Sequence, residues 1–177
     1  MNVVVYLGSS PGNDPIYKEQ IYKLGAMIGD AGHDLVYGGS KIGLMGVIAD
    51  AVLDHGGHVT GVEPKFFIEE CRQHERIDEL IVTEDMFERR KTMYDMGDAY
   101  IAFPGGIGTL EEITDIMSAV HLRLMDKPYV LYNLNGYFDH FKALLDHMTE
   151  QGFIAAGDRA NIRFADTLEE VADIIGL

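Results

Sequence analysis

A doubly wound α/β fold, a Rossmann-like parallel sheet with helices on both faces, is predicted by three features of the sequence. Short apolar runs alternate with segments of helical periodicity along the whole chain. The runs are almost continuously apolar, as strands covered on both faces are, instead of alternating with polar residues. Glycine-rich turns follow the first, second and fifth runs, at what would be strand carboxyl ends, where sheets of this kind bind their ligands.

The first strand, Asn2 to Leu7, stops at the turn cluster Gly8-Ser9-Ser10-Pro11-Gly12. Asp14-Pro15 then supplies an N-cap and a proline suited to a first helical turn; Ile16, Ile21, Leu24, Met27 and Ile28 give the helix its apolar face, and Gly32 ends it. Asp34 to Tyr37 is the second strand, followed by the turn Gly38-Gly39-Ser40-Lys41-Ile42-Gly43 and a helix over Leu44 to His55. His58 to Val62 is the third strand, halted before Pro64; Lys65 to His74 fits either a short helix or an irregular lid. Leu80 to Val82 is the fourth strand, and Met86 to Met96 a helix whose methionines, Met86, Met93 and Met96, share a face suited to a core. Ala99 to Phe103 is the fifth strand, and the helix after it carries the stripe Leu110, Ile113, Met117, Val120 and Leu124. Pro128 to Leu131, a helix over Tyr137 to Glu150, a loop, a short strand at Ile162 to Phe164 and a last helix, Leu168 to Ile175, complete the chain. Thr167 and Glu170 have capping-box spacing for that last helix.

Without a linker, repeat or low-complexity tract, and with 47% hydrophobic residues in 177, the chain is expected to form one domain over residues 1–177. Its net charge of −15, with no basic cluster, repels nucleic-acid backbones and anionic membranes, so neither is expected as a partner. No apolar run reaches membrane-spanning length and no basic region precedes the first strand, which predicts a soluble, unprocessed protein. The single cysteine, Cys71, fits a reducing, cytoplasmic setting and is expected to be a small, semi-buried hydrophobe. Seven scattered histidines show no ligand spacing, so no metal is expected.

The chemistry concentrates at Pro104-Gly105-Gly106-Ile107-Gly108-Thr109-Leu110-Glu111-Glu112, between the fifth strand and its helix. Three glycines in four positions let backbone N–H groups converge on a nearby group, and a helix N-terminus adds partial positive charge, which together make an anion site. It lacks the spacing of a dinucleotide fingerprint and the lysine of a P-loop. Thr109 and Glu112 also have capping-box spacing, and the residues alone leave Glu112 as either a cap or a cleft carboxylate and Arg89 as either a solvated helix residue or a ligand contact.

Pro104-Gly105-Gly106-x-Gly108-Thr109-x-x-Glu112, with Met86-x-Glu88-Arg89-Arg90-x-x-Met93 upstream, resembles the signature of the Lonely-guy family of cytokinin riboside 5′-monophosphate phosphoribohydrolases. The likeness runs through the chain: Gly8-Ser9-Ser10, Tyr37-Gly38-Gly39-Ser40, Gly43-Leu44-Met45-Gly46, Asp50-Ala51, Gly61-Val62, Lys127-Pro128, Asn135-Gly136-Tyr137 and Gly152-Phe153-Ile154 fall in family order. Members of this family have widely been labelled lysine decarboxylases; the resemblance implies that this label is wrong here, and no motif reads as a pyridoxal phosphate site.

What the resemblance implies is hydrolysis of the N-glycosidic bond of an adenosine-type 5′-monophosphate, whose base is plain or N6-prenylated, giving free base and ribose 5-phosphate without metal or organic cofactor. It makes Arg89 and Glu112 the catalytic pair, places Arg90, Gly105, Gly106, Ile107, Gly108, Thr109, Leu110, Glu111 and Ser118 around the nucleotide, and implies a homodimer with sites near the interface. The chemistry agrees with the roles. Cleaving a ribosyl C–N bond develops positive charge on the sugar, which a carboxylate stabilises while taking a proton from water; a guanidinium, always protonated, holds anions or orients that carboxylate. Two alternatives are a non-catalytic nucleotide-binding or carrier protein of Rossmann type, which would not need Glu112, and a nucleotide enzyme of another reaction such as base transfer.

The sequence departs from the family pattern at Ser40, Phe87, Arg90, Ile107, Ser118, Ala119 and His121, and at Cys71, beside Glu70, where many members carry a nucleotide-contacting glutamate. These positions bear on base recognition, because losing an aromatic and a carboxylate alters pocket shape and polar pairing.

Overall fold

The computed structural model describes residues 1–70 and 72–177, so the expectations for Cys71 lie outside the described residues. Seven strands, β1 (Asn2–Tyr6), β2 (Asp34–Tyr37), β3 (Val59–Pro64), β4 (Glu79–Thr83), β5 (Ala99–Ala102), β6 (Tyr129–Tyr132) and β7 (Phe164–Ala165), form one parallel sheet in the order 4-3-2-1-5-6-7. The order grows outward from β1 in one direction through β4 and in the other from β5. The topological switch therefore falls between β1 and β5, which are paired from Val3↔Ala99 to Tyr6↔Ala102.

Both faces are covered, which is why the strands carry so few polar residues. Val3 and Val5 enter a core with Ile21, Leu24 and Ile28 of α1 (Ile16–Asp30), Leu44, Ile48 and Val52 of α2 (Gly43–Asp54), and Val171 and Ile175 of α8 (Leu168–Ile175). Val4 and Tyr6 enter a second core with Met93 of α4 (Met86–Met96) and with Ile113 and Ile116 of α5 (Ile107–His121). Helices α1 and α2 pack so closely that a Cβ at Gly25 would lie 2.8 Å from Ala51 Cβ and one at Gly29 2.8 Å from His55 Cβ.

Several boundaries differ from expectation. The helix after the fifth strand begins at Ile107, three residues ahead of the first residue of its expected apolar stripe, Leu110, so Thr109 lies inside its first turn. Lys65 to Glu69 is a short helix, α3, and the residues after it are tied down: Lys41 N–H donates to Arg72 O at 2.8 Å and His74 N–H to Gly39 O at 2.9 Å. Strand β3 continues through Pro64, the last residue before α3, in register with Thr83 of β4. The expected loop before the last strand contains a helix, α7 (Ala156–Asn161), and α6 (Asp139–Glu150) starts after a 3-10 turn over Leu134–Gly136. Leu124, placed by periodicity on the core stripe, is 72% exposed because α5 has already ended at His121. Thr167 caps the last helix, its Oγ1 accepting from Glu170 N–H at 3.2 Å, and Glu170 Oε2 closes back on Asp166 N–H at 2.7 Å, one residue before the N-cap.

Candidate active site

Loops at the carboxyl ends of β1, β2, β3 and β5, with α4, enclose a cleft of about 590 Å³ at the switch point. Its lining includes Gly8, Ser9 and Ser10 after β1, Gly38 and Ser40 after β2, Glu63 of β3, Arg89 of α4, and Gly106, Ile107, Gly108, Thr109 and Glu112 of the α5 end. The glycines divide into two kinds. A Cβ at Gly105 would collide with Thr109 Oγ1 and lie 2.7 Å from Gly8 N, so this residue lets the β1 and β5 loops touch. Cβ atoms at Gly106 and Gly108 would meet nothing within 4 Å, so these two leave the cleft open.

Helix α5 starts at N-cap Gly106, which offers no side-chain acceptor. The amides of its first turn point beyond the helix without an intrahelical partner, and an uncapped N-terminus lining a cleft is built to receive an anion. Of the two readings left open for Glu112, the capping box with Thr109 is absent, and the reason is the helix start: with the N-cap at Gly106, Glu112 lies well inside the helix. Its carboxylate reaches sideways to Arg89, Nη1 donating to Oε1 at 2.7 Å, and each side chain is only 10% exposed.

Arg89 is aimed by its helix and by the sheet. Asp85 caps α4, its Oδ1 accepting from Phe87 N–H at 2.8 Å and Glu88 N–H at 2.9 Å. Arg89 Nε donates to the Val62 carbonyl at 2.9 Å, and a Cβ at Gly38 would lie 2.5 Å from its Nη2, so the glycine makes room for the guanidinium. Burial raises the pKa of Glu112 above the ordinary carboxylate range, while the charge and hydrogen bond of Arg89 pull it back. Burial also raises the phenol of Tyr6, beside Glu112, so the residue remains neutral.

The other expected contacts separate. Arg90 does not line this cleft; it is held against α5 by Glu111 at 3.1 Å and Asp115 at 3.5 Å, and stacks over Phe87 at 4.7 Å. With Ser118 and Ala119 it lines a second groove of about 450 Å³ between α4 and α5, which meets the first cleft at Tyr6 and Glu112. Leu110 and Glu111 line neither cavity, and Gly105 faces the opposite side of its loop, where its carbonyl accepts from Tyr137 Oη at 2.6 Å. Among the described residues no group of three or more His, Cys, Asp or Glu side chains is placed to hold a metal ion.

Sequence reasoning missed Glu63. Ending the third strand at Val62 left this residue in a loop, whereas it is the penultimate residue of β3, 0% exposed, with both carboxylate oxygens lacking a hydrogen-bond partner among the described residues. A carboxylate inside an otherwise apolar run was the available signal.

The family described as possible lysine decarboxylase matches residues 45–175. The chain is 39% identical over 169 residues to cytokinin riboside 5′-monophosphate phosphoribohydrolase LOG1 of Arabidopsis thaliana, covering 96% of this chain and 79% of that protein. It is 39% identical over 170 residues to the cytokinin riboside 5′-monophosphate phosphoribohydrolase of Rhodococcoides fascians, covering 95% and 85%. Its fold is similar to that of a molybdenum cofactor binding protein from Rippkaea orientalis, with a TM-score of 0.75 over 99% of this chain and 94% of that one at 21% identity.

Proposed function

The chain belongs to the Lonely-guy family of cytokinin riboside 5′-monophosphate phosphoribohydrolases and is a nucleotide phosphoribohydrolase, and we propose that it cleaves an adenosine-type 5′-monophosphate in the cleft between Arg89 and Glu112. The observation that carries the reading is the Arg89–Glu112 pair: an oriented carboxylate, buried beside an uncapped helix N-terminus, where capping alone would have folded Glu112 onto its own helix.

The 5′-phosphate belongs at Gly106, Ile107, Gly108 and Thr109, where first-turn amides face the cleft and the chain's net charge of −15 is locally overruled. The ribose then lies over Glu112. As the C1′–N9 bond lengthens, the developing charge on C1′ is stabilised by the carboxylate, which takes a proton from the attacking water. Arg89 favours the ionised form of that carboxylate against the burial that opposes it and fixes its direction; it is too basic to donate a proton itself. Among the described residues no lysine lines the cleft, so the decarboxylase description finds no Schiff-base side chain there.

The fold also occurs in a cofactor-binding protein, so the fold does not separate enzyme from carrier. Glu112 does, because a carrier has no use for a buried carboxylate beside the sugar. We further infer a homodimer formed over the α4–α5 groove, supported by its exposed apolar side chains Phe87 (77%), Leu122 (60%) and Leu124 (72%). No helix is long and apolar enough to cross a membrane. The test is incubation with AMP and with N6-isopentenyl-AMP, followed by chromatography for free base and ribose 5-phosphate. Release from at least one is expected; binding of both without release would favour the carrier.

A further inference from the structure

The proposed cleavage needs two proton transfers, and Glu112 accounts for one. A purine leaves C1′ slowly as an anion and readily once a ring nitrogen is protonated, so the site needs an acid as well as a base. Arg89 cannot serve, because a guanidinium does not give up its proton in this range.

Glu63 is a second buried carboxyl in the same cleft. It follows Val62, whose carbonyl holds Arg89 Nε, and the strand alternation that sends Val62 into the α4–α5 core sends Glu63 to the sheet face bearing α1 and α2. Glu112 comes from α5, on the other face. The two carboxyls thus flank the strand ends from opposite sides, as attack by water and departure of the base on opposite sides of C1′ require.

Their hydrogen bonding also differs. Of the charges around them, only Arg89 is itself buried, and its Nη1 and Nε are committed to Glu112 and Val62 O. Arg72, from the segment after α3, also faces Glu63 but is ion-paired with Glu70 at 2.6 Å; from β2 the neighbouring titratable group is the neutral phenol of Tyr37, itself without a partner among the described residues. Two carboxyls sharing one buried guanidinium cannot both ionise cheaply, and the hydrogen bond from Arg89 favours ionisation of Glu112 over that of Glu63.

We propose that Glu63 is the acid of the reaction, giving its proton to a ring nitrogen of the departing purine while Glu112 takes one from the attacking water. The C1′–N9 electron pair goes to the purine, the water oxygen bonds C1′, and the two carboxyls return to their starting states by exchanging one proton through solvent, so the sum is nucleotide plus water to base plus ribose 5-phosphate. Burial suits the carboxyl to donating a proton near neutrality, since it pushes the pKa up to about 7 against the pull of Arg89 and Arg72. This inference rests on the hydrolase reading above.

The test is Glu63→Gln, isosteric and unable to donate a carboxyl proton, assayed with AMP and with 4-nitrophenyl β-ribofuranoside 5-phosphate, whose nitrophenolate leaves without protonation. The expected result is a loss of about 10²-fold in kcat on AMP with KM held within about threefold, and a nitrophenyl activity within about threefold of wild type. Wild-type kcat/KM for AMP should fall as pH rises past about 7, where the acid ionises, and the variant should lack that limb. Equal losses on both substrates, or no loss on AMP, overturn the acid role. A wild-type protein inert towards every nucleotide offered overturns the hydrolase reading and this one with it, whereas an active wild type with either of those patterns overturns this one alone. The nitrophenyl assay also shows that the variant is folded.

Discussion

At the α5 end of the cleft Glu112 is 10% exposed and takes a guanidinium N–H at 2.7 Å; at the β3 end Glu63 is 0% exposed and neither oxygen has a partner among the described residues. The same functional group, buried to a similar depth in one cleft, thus has its charge supported by a guanidinium hydrogen bond at one end and by none at the other. What separates them is the reach of a single arginine. Arg89 is pinned at Nε by the sheet and has Nη1 to give, and it gives it to Glu112. A carboxyl's role in a cleft is set by who solvates it, since a buried charge without a partner reverts to its neutral form.

Removing the shared guanidinium should break the contrast most severely. Arg89→Ala leaves Glu112 buried without its counter-ion, so a loss of about 3–5 kcal/mol in denaturant unfolding is expected, with turnover abolished. Arg89→Lys should not restore activity, because one ammonium cannot span Val62 O and Glu112 as the fork does. Glu112→Gln keeps an acceptor for Arg89 but loses the base: turnover should fall about 10³-fold, ~4 kcal/mol in the barrier. Nucleotide affinity measured by titration calorimetry should stay within about tenfold, ~1.4 kcal/mol. A Glu112→Gln enzyme with near-normal turnover would falsify the assigned role.

Stability against pH probes the other carboxyl. Glu63 ionises at about 7 in the folded chain against 4.5 when solvated, so between these values the folded state holds a proton the unfolded state has lost. Its contribution is therefore fully present below pH 4.5 and is lost as pH rises through about 7. The full span is worth ~3 kcal/mol at most. Thermal melts from pH 5 to pH 8 should show wild-type stability declining, and Glu63→Gln should flatten that decline; parallel curves for the two proteins would show that Glu63 is already ionised.

The smallest effects distinguish the two glycine classes. Gly105→Ala forces a Cβ into Thr109 and Gly8, so roughly 1–3 kcal/mol of stability should be lost. Gly106→Ala meets open space with φ at −93°, so stability should change by less than about 1 kcal/mol while AMP binding weakens, because the new methyl projects where the phosphate is proposed to sit. Equal melting temperatures for the two variants would remove the distinction.

Much of this was legible in the chain. The apolar runs announced buried parallel strands, and Gly32 after α1 and Thr167 with Glu170 behaved locally as their chemistry dictates. Arg89, Glu112 and the glycine turn were legible as a motif. Thr109 with Glu112 left two readings open, because capping-box spacing makes a cap only where the helix begins at its first residue, and this helix begins at Ile107 with Gly106 as N-cap.

Local sequence set the periodicities, the stops, and which residue types could supply an anion site and a cleft carboxylate, since these depend on neighbours a few positions away. Which carboxyl receives the guanidinium, and which is left without a hydrogen bond, depended on contacts made only in the folded chain. Glu63, Arg89 and Glu112 are separated by more than twenty residues from one another, and the desolvation that sets their charge exists only once β3, α4 and α5 have closed around them.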